Sequence, residues 1–318
     1  MNSHVMRRAI YGTALNKIVT NINQNVDLPP GYHLIWYDTT DSTNAQALIL
    51  AREPGVASGT IIAAGSQSQG RGRLGRQWWS GEGNLYYSLI LRPGLRFTRA
   101  STPQMAAQIS LVVAVACCKL LSELVGDDKI IQIKWPNDLL YVNPTTGRAA
   151  KIGGILVETG FVQPPKNTDS AESKFQKNII DFIVIGIGIN LVSSPPNPKL
   201  YDVTNLAAIS DHGHYDLGTI IAKLTELLDS WLIIWQEQGM AAIRAAWMKS
   251  AYGLGQEIAR VDEATAKAQF APISGKFLGL DESGGIILQH SNSTKRHYQS
   301  GDWRFPNYHF TLTNSSNS

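Results

Sequence analysis

The longest stretch of the chain without a charged side chain runs from Ala100 to Cys118. Polar residues and a proline interrupt it, at Ser101, Thr102, Pro103, Gln104, Gln108 and Ser110. Capping residues, an early proline and interior polar side chains predict a buried helix rather than a membrane span. The chain is therefore expected to enclose this helix in a sizeable core.

The composition agrees with a large core. Of the 318 residues, 43% are hydrophobic and 17% are charged, which argues against disorder. The length indicates about two domains. The net charge of +3 is too balanced to indicate a general nucleic-acid binder. Cys117 and Cys118 are too few for a disulfide framework or a four-ligand zinc site, and they are predicted to lie in the core.

The N-terminal residues show no export sequence. Residues 1–25 contain no apolar core of signal-peptide length. Low cysteine use is compatible with a reducing compartment. We therefore expect a cytoplasmic protein that does not contact a membrane.

Apolar patterning predicts a mixed α and β domain followed by a small β-barrel. The strands of the large domain are predicted at 33–37, 60–64, 85–91, 130–135, 138–142, 149–158 and 179–191. Its helices are predicted at 45–52, 103–125, 217–238 and 240–252, with Gly253 as the last C-cap. The barrel strands are predicted at 258–261, 266–271, 275–280, 284–289 and 296–298. The predicted units are a lead segment 1–32, a catalytic domain 33–253, a barrel 254–310 and a tail 311–318, and 163–178 is a surface insert without an assigned function.

The most informative segment is the loop from Gln67 to Trp78. It contains Arg71, Arg73 and Arg76, three glycines and no acid. Glycines let the backbone approach a ligand closely, and arginines bind phosphate or carboxylate oxygens through bidentate hydrogen bonds. Trp78 offers a stacking face for adenine. The loop is predicted to close over an anionic ligand, although a solvated loop or a nucleic-acid contact fits this segment equally well.

Two further segments place polar groups at the ends of predicted strands. A strand that stops at Pro136 carries the sequence Lys134 to Asp138. Lys151 precedes a double glycine in a buried strand, where a lysine rarely serves as core filler. Both segments are candidates for a binding site.

A third segment, from Gly186 to Asn190, shares two glycines with a dinucleotide fingerprint but lacks the third glycine and the helix that must follow. It favours close approach of the backbone to a ligand. The sequence contains no P-loop, so ATP would be held in another way. His212 and His214 are predicted to be solvated loop residues, and no protein metal site is expected.

In this order the segments resemble the biotin protein ligases. The matching motifs are Asp-Ser-Thr-Asn at 41–44, the Gly-Arg-Gly-Arg-x-Gly-Arg-x-Trp loop at 70–78, Lys-Trp-Pro-Asn-Asp at 134–138, the lysine and Gly-Ile-Leu-x-Glu at 151–158, and Gly-x-Gly-x-Asn at 186–190. The resemblance implies an α+β fold, with a mixed-sheet catalytic domain like that of class II synthetases and biotin/lipoate ligases, and an SH3-like C-terminal barrel. It indicates the form that lacks an N-terminal DNA-binding domain, so no DNA partner is expected.

The resemblance implies a two-step ligase reaction. Biotin and Mg-ATP give biotinyl-5′-AMP and pyrophosphate, and the adenylate then acylates one lysine of a biotin carboxyl carrier domain of acetyl-CoA carboxylase or a related carboxylase. The expected cofactors are ATP and Mg²⁺, and a homodimer is expected by family analogy only.

The resemblance also implies residue roles. Arg73 and Lys151 are the catalytic candidates. The biotin-binding candidates are Ser42, Thr43, Asn44, Gln67, Gly70, Arg71, Gly72, Arg73, Lys151 and Gly154. The ATP-binding candidates are Arg73, Arg76, Trp78, Asn137, Asp138, Lys151 and Asn190. Asp138 is expected either to orient these groups or to help hold Mg²⁺.

Two alternative functions stay open at this point. A lipoate protein ligase shares the fold and the adenylate chemistry, although the Gly-Arg loop and the barrel favour biotin. A nucleic-acid-binding module would use the six arginines of residues 70–99, at 71, 73, 76, 92, 96 and 99.

One departure from the family pattern is Leu74, where some relatives carry a basic residue, so one adenylate contact is expected to be missing.

Overall fold

A computed structural model describes residues 26–93, 103–162, 179–196, 198, 201–210, 215–260, 273–306 and 308. Several predicted features lie outside the described residues. They are most of the lead segment, Arg96 and Arg99, the insert 163–178, His212 and His214, the strand 266–271 and the tail 311–318.

A seven-stranded mixed sheet forms the larger layer. Its strands are β1 (His33–Thr40), β2 (Thr60–Gln67), β3 (Leu85–Leu91), β4 (Ile131–Lys134), β5 (Asp138–Val142), β6 (Ala149–Phe161) and β7 (Ile180–Ile189). Their order is β1-β2-β3-β7-β6-β5-β4. Only β1 and β2 run parallel among these neighbours. The strands β3 and β7 lie inside the sheet, and their residues are apolar and largely buried.

Helices cover both faces of this sheet. One face carries the helix α1 (Thr43–Leu50), which packs on β2, β3 and β7. Ser42 caps α1, since its side chain accepts a hydrogen bond from the Ala45 backbone N–H. The other face carries α2 (Pro103–Val125), α3 (Leu217–Gln238) and α4 (Met240–Lys249).

The helix α2 is the uncharged segment singled out in the sequence. By length and composition alone Gln104–Val125 could cross a membrane. However, most of this helix is buried in the fold, against α3, β4 and β6. The prediction of a buried core helix is confirmed, and Cys117 and Cys118 are free, buried thiols within it.

A second, five-stranded antiparallel sheet follows. Its strands are β8 (Glu257–Arg260), β9 (Ser274–Leu280), β10 (Ile286–Gln289), β11 (Lys295–Tyr298) and β12 (Trp303–Arg304), in the order β11-β10-β9-β8-β12. The buried side chains of Phe277, Trp303 and Phe305 belong to this part of the chain, and the Phe277 ring packs edge-on against Trp247 of α4 and against Phe305. This sheet is consistent with the predicted SH3-like barrel, while the domain limits stay predictions.

Several limits differ from the sequence-based expectations: α1 is Thr43–Leu50 instead of 45–52, and β1 and β2 extend to Thr40 and Gln67. The helix α4 ends at Lys249 with Ser250 as its C-cap, whereas the sequence predicted an end at Tyr252 and a cap at Gly253. Gly253 instead occupies a following turn with φ +75°. The strand β12 was not predicted, because two residues are too few to show an alternating pattern.

Candidate functional site

One cavity lies on the α1 face of the large sheet and encloses about 880 Å³ of empty space, including its open mouth. It brings together thirteen of the predicted site residues, which are Ser42, Thr43, Asn44, Gln67, Arg71, Gly72, Arg73, Arg76, Trp78, Asn137, Asp138, Lys151 and Gly154. Segments spread over more than a hundred residues of sequence therefore meet around one space. A concave space with convergent polar side chains suits a small-molecule ligand.

Uncharged side chains line one end of the cavity. We call Ser42, Thr43, Asn44, Gln67 and the neighbouring Ser88 the neutral end. The Gln67 amide oxygen accepts from the Thr43 backbone N–H at 2.8 Å and lies 3.2 Å from the Thr43 hydroxyl. Its amide nitrogen donates to Ser80 Oγ at 3.0 Å. The amide of Gln67 therefore has a fixed orientation.

The Asn44 amide is also held on both sides. Its Nδ2 donates to Glu158 Oε2 at 2.8 Å, and its Oδ1 lies 2.7 Å from the hydroxyl of Ser88. Asn44 is only 4% exposed. It was predicted to contact biotin directly, but its polar atoms already have partners in the protein. The structure therefore favours an orienting role for Asn44 at the start of α1.

Charged side chains surround the other end of the cavity. We call the loop arginines Arg71, Arg73 and Arg76 and the cluster of Lys134, Asp138 and Lys151 the charged end. In the cluster, Lys151 Nζ lies 2.6 Å from Asp138 Oδ1, and Lys134 Nζ lies 3.5 Å from Asp138 Oδ2. All three side chains are at most 13% exposed. One buried carboxylate thus holds two ammonium groups.

These neighbours shift the protonation equilibria of the cluster. Burial by itself would raise the pKa of Asp138, but the ammonium groups of Lys151 and Lys134 outweigh it and hold that pKa well below the usual range. Burial would lower the pKa of Lys151, yet the Asp138 carboxylate raises it. For Lys134 burial dominates and lowers the pKa, with only partial compensation by Asp138. Asp138 therefore stays ionised, keeps Lys151 charged, and is a poor proton acceptor.

The glycine–arginine loop folds back on itself and closes one wall of the cavity. Trp78 N–H donates to the Gly70 carbonyl at 2.8 Å, and Gly72 N–H donates to the Arg76 carbonyl at 2.7 Å. Leu74 and Gly75 turn the tip with positive φ angles of 57° and 71°. Leu74 is 78% exposed, so it makes no contact in place of the basic residue that some relatives carry.

Each loop arginine is tied to a different wall. Arg71 forms an ion pair with Glu158 of β6. Arg73 Nη1 donates to Asn137 Oδ1 at 2.9 Å, in the turn between β4 and β5. Arg76 forms an ion pair with Asp302, next to β12 of the second sheet. The loop is therefore docked by three contacts to three separate segments.

Trp78 lies over a floor of glycines. A Cβ atom built at Gly188 would lie 2.6 Å from the indole ring, and one built at Gly154 would lie 3.1 Å from it. Gly188 cannot carry a side chain while Trp78 keeps this place, and a side chain at Gly154 would require the ring to shift by a few tenths of an ångström. Lys151 Nζ lies 5.3 Å from the centre of the indole ring, which is cation–π range. Trp78 Nε1 is buried and has no hydrogen-bond acceptor among the described residues, which suits a ligand acceptor.

Two predicted site residues do not line the cavity. Gly70 lies behind it, where an added Cβ would meet Ser80 and the Trp78 carbonyl at 2.6 Å. Asn190 is only 2% exposed, and its Nδ2 donates to the Thr204 carbonyl at 3.0 Å. Both residues shape the surroundings of the site. Gly70 leaves room for Ser80 and the Trp78 carbonyl, and Asn190 fixes the segment that carries Tyr201.

The structure adds site residues that the sequence did not assign. Tyr86, Lys134, Tyr201 and Asp302 line the same cavity. The Tyr201 ring lies 5.5 Å from Lys151 Nζ, and the hydroxyl of Tyr308 lies 3.4 Å from Asp138 Oδ2. Lys134 could have been inferred from its place in the Lys134 to Asp138 motif. No local pattern indicated Tyr201 or Asp302.

The arginine contacts weaken the nucleic-acid alternative. Arg71, Arg73 and Arg76 all point to protein partners around the cavity. Arg92 donates to the carbonyls of Ala51 and Val56 and pairs with Asp181 at 3.2 Å. Four of the six arginines proposed for a basic surface thus have partners within the fold.

Comparisons with known proteins agree with this geometry. The Biotin/lipoate A/B protein ligase family matches residues 36–167, which include the docked loop and several strands of the mixed sheet. This family is the class of protein to which the fold and the site point. The biotin–[acetyl-CoA-carboxylase] ligase of Paracoccus denitrificans is 32% identical over 254 residues, covering 79% of this chain and 91% of that protein. The chain belongs to the biotin protein ligases.

Two further relatives support the assignment. The bifunctional ligase/repressor BirA of Escherichia coli is 29% identical over 80% of this chain and 68% of that protein. The biotin protein ligase of Aquifex aeolicus in complex with biotin and ATP is a solved structure with 27% identity and a TM-score of 0.65. The match covers 86% of this chain and 99% of that one. The acid named for the Paracoccus ligase and for the Aquifex complex is biotin.

Proposed function

We propose that this chain is an ATP-dependent ligase that forms biotinyl-5′-AMP and transfers biotin to a lysine of a carboxyl carrier domain. The observation that carries the proposal is the single cavity with two chemically different ends. Its neutral end offers hydroxyls and amides, which suit a ureido ring that both donates and accepts hydrogen bonds. Its charged end offers buried cations, which suit a carboxylate and a phosphate.

In the first step an oxygen of the biotin carboxylate forms a bond to the α-phosphorus of ATP, and the bond from that phosphorus to the pyrophosphate oxygen breaks. Two anions must approach each other for this. Lys151 and Arg73 lie on the cavity wall and can offset the repulsion and the charge that develops in the transition state. Asp138 keeps Lys151 charged and in place.

The mixed anhydride must then be kept from water. The loop from Gly70 to Trp78 already lies over the cavity, docked by its arginines and by Trp78. Closure of such a loop excludes water from a reactive intermediate. In the second step a lysine amine of the carrier attacks the carbonyl carbon, the bond to AMP breaks, and the amine loses a proton.

Mg²⁺ enters this proposal only as the companion of ATP. No cluster of three or more His, Cys, Asp or Glu side chains that could hold a metal occurs in the described part of the chain. Asp138 and Asp302 face the cavity, but each is already paired with cations. A Mg²⁺ ion that is bound to ATP needs only one or two protein carboxylates beside the phosphates, and Asp138 and Asp302 are the carboxylates on the cavity wall. The contacts of Asp138 with Lys151 and Lys134 support the orienting role for this residue.

The test is incubation with biotin or lipoate, ATP and an unmodified carrier domain of a biotin-dependent carboxylase. We expect pyrophosphate release with biotin, followed by a mass increase of one biotin on the carrier. Labelling by lipoate alone, or no labelling with either acid, would overturn the proposal. Carrier protein whose target lysine is replaced by alanine is the matched control.

Partner, compartment and assembly belong to the same proposal. The carrier domain of acetyl-CoA carboxylase or a related carboxylase is the proposed partner, and the cytoplasm is the proposed compartment. The free thiols of Cys117 and Cys118 are compatible with a reducing compartment. A homodimer is proposed by analogy with the family, and sedimentation with and without biotin and ATP tests it.

A further inference from the structure

The chain that follows β12 returns to the buried charges of the cavity. Tyr308 is only 3% exposed, although it belongs to no strand of either sheet. Its hydroxyl donates to Asp138 Oδ2 at 3.4 Å, across 170 residues of sequence. Two residues earlier, the Pro306 carbonyl accepts from the Tyr252 hydroxyl at 2.7 Å. The segment after the second sheet is therefore anchored beside the cluster of the charged end.

Two aromatic rings of this segment enclose a buried lysine. Lys134 Nζ lies 5.2 Å from the centre of the Tyr308 ring and 5.3 Å from that of Phe305. Lys134 is only 2% exposed, and a buried ammonium group is costly unless other groups replace its water. Asp138 Oδ2 at 3.5 Å and the two ring faces do so. These contacts hold Lys134 at Oδ2 of Asp138 and leave Oδ1 to Lys151.

The Tyr308 ring also holds the aromatic side chain that faces Lys151. It stacks on Tyr201, with 5.1 Å between the ring centres and an interplanar angle of 15°. Tyr201 lines the cavity, and its ring lies 5.5 Å from Lys151 Nζ. The backbone beside Tyr201 pairs with Lys151, whose N–H donates to the Asp202 carbonyl at 2.8 Å and whose carbonyl accepts from Thr204 N–H at 2.9 Å. Both the backbone and the ring of Tyr201 are thus fixed relative to Lys151.

We propose that Tyr308 is a positioning residue for adenylate formation: through Tyr201 and Asp138 it holds Lys151 where the biotin carboxylate and the α-phosphate meet. This inference rests on the proposed function. Tyr308 is not among the residues that line the cavity, so it acts through its neighbours. Its contacts close a cycle of four side chains, in which Tyr308 touches Tyr201 and Asp138, and both of these touch Lys151. The segment after the second sheet therefore completes the charged end.

The test removes the Tyr308 ring and measures pyrophosphate release at saturating biotin and ATP. Tyr308→Leu should lower kcat by about tenfold, because the stack on Tyr201 and the contact with Lys134 are lost. The Kd for biotin should not change, because the neutral end is untouched. Tyr308→Phe keeps both ring contacts and loses only the long hydrogen bond to Asp138, so kcat should fall by no more than about twofold. Tyr308→Met, which keeps more of the buried volume, should behave like Tyr308→Leu and replaces it if that variant does not fold.

The Lys151→Ala background separates positioning from a general structural role. There Tyr308→Leu should cause no further loss of kcat, because the side chain that it positions is gone. A merely structural role would produce the same loss in both backgrounds, and that result would overturn the inference. Wild-type kcat in Tyr308→Leu, or equal losses in Tyr308→Phe and Tyr308→Leu, would overturn it as well.

Tyr298→Leu is the matched control for loss of an aromatic residue from this part of the chain. The Tyr298 ring packs on Trp303 with 5.2 Å between the ring centres, and it does not line the cavity. The variant should lower the unfolding temperature and leave kcat at the wild-type value. Failure of the wild type to form any biotinyl adenylate would overturn the proposed function itself, which is a different outcome from an active wild type with an equally active Tyr308→Leu.

Discussion

The neutral and charged ends of the cavity are built in different ways. At the neutral end, Thr43, Asn44 and Ser88 are at most 4% exposed and bond to one another. At the charged end, Arg71 and Arg76 are more than two-fifths exposed, and each pairs with a carboxylate of another segment. The neutral end is thus fixed before any ligand arrives. Glu158 accepts from both Asn44 and Arg71 and so joins the two ends, whereas Asp302 pairs with Arg76 alone among the loop arginines. A ligand anion at the charged end has to displace or share these carboxylates.

This difference separates recognition from retention. A buried network of neutral hydrogen bonds has one arrangement, and a ligand group of the wrong polarity leaves a buried partner unsatisfied. Partly exposed ion pairs each contribute little and are screened by salt. Changes at the neutral end should therefore alter the choice of substrate. Changes at the charged end should alter the rate at which the adenylate forms or the rate at which it is released.

Lys151→Ala should have the largest effect. It removes the cation closest to Asp138 at the place where two anions meet, and we expect a loss of about 100- to 1000-fold in kcat for adenylate formation. Lys134 still lies 3.5 Å from Asp138, so the fold should persist. Pyrophosphate release and thermal unfolding measure the two effects. Lys119→Ala, at an exposed lysine of α2, is the control, and normal pyrophosphate release by Lys151→Ala would contradict the assignment.

Gly186→Ala should affect the neutral end alone. The added methyl group overlaps the Asn44 amide, and overpacking of about 1–3 kcal/mol should raise the KM for biotin by roughly 10- to 100-fold. The KM for ATP should not change. Initial rates at varied biotin and varied ATP measure both constants. Gly218→Ala is the control, because a Cβ atom there makes only ordinary contacts at 3.4 Å. An equal rise in both KM values would show that the two ends are not separable.

Arg73→Gly tests retention at the charged end. The variant loses the loop cation and its hydrogen bond to Asn137, so release of biotinyl-5′-AMP should accelerate about tenfold. Rapid filtration of enzyme preloaded with labelled adenylate measures this rate. Asn137→Ala should reproduce part of the effect, whereas Arg52→Ala, at an exposed arginine after α1, should not. Release no faster than in the parent would refute the role of Arg73 in retention.

At the charged end, the strands and motifs were predicted better from the sequence than the side-chain contacts that they make. Strand β5, which begins at Asp138, was predicted with the observed limits, and the motifs that carry Lys151 and Arg73 were placed around one ligand. Asp138 was left with two roles, since a motif does not show which cations surround a carboxylate. Asn190 was assigned to the nucleotide, but its amide holds the Thr204 carbonyl. Short polar motifs indicate that a residue lies near the site, not which way its side chain points.

The neutral end shows a second limit of sequence reasoning. Ser88 stands alone in an apolar strand, and Gly186 was attributed to close approach of a ligand. The structure shows that Gly186 accommodates Asn44, a side chain of the protein itself. Such a fit depends on the register of β3, β6 and β7, in which Ser88 and Leu156 both pair with Gly186. Apolar periodicity predicts strands but does not fix which strands are neighbours.

Asp302→Asn should have the smallest effect, and no sequence motif pointed to this residue. Asp302 lies 226 residues from its partner Arg76, and the pair ties the loop to the second sheet. Because both side chains are partly exposed, the ion pair should contribute at most about 1 kcal/mol, so adenylate release should accelerate about two- to fivefold. The rate of adenylate formation should stay the same, since Arg73 and Lys151 are untouched.

Salt dependence distinguishes this ion pair from a packing effect. Raising the ionic strength should accelerate adenylate release from the wild type, because salt screens the pair of Arg76 and Asp302. In Asp302→Asn the same change should have a smaller effect, since the pair is already lost. Asp181→Asn breaks another partly exposed pair, with Arg92 at 3.2 Å and away from the cavity, and should behave like the wild type. Equal salt sensitivity in Asp302→Asn and the wild type would mean that the loop is held closed by Arg71, Arg73 and Trp78, and that the second sheet does not contribute to retention.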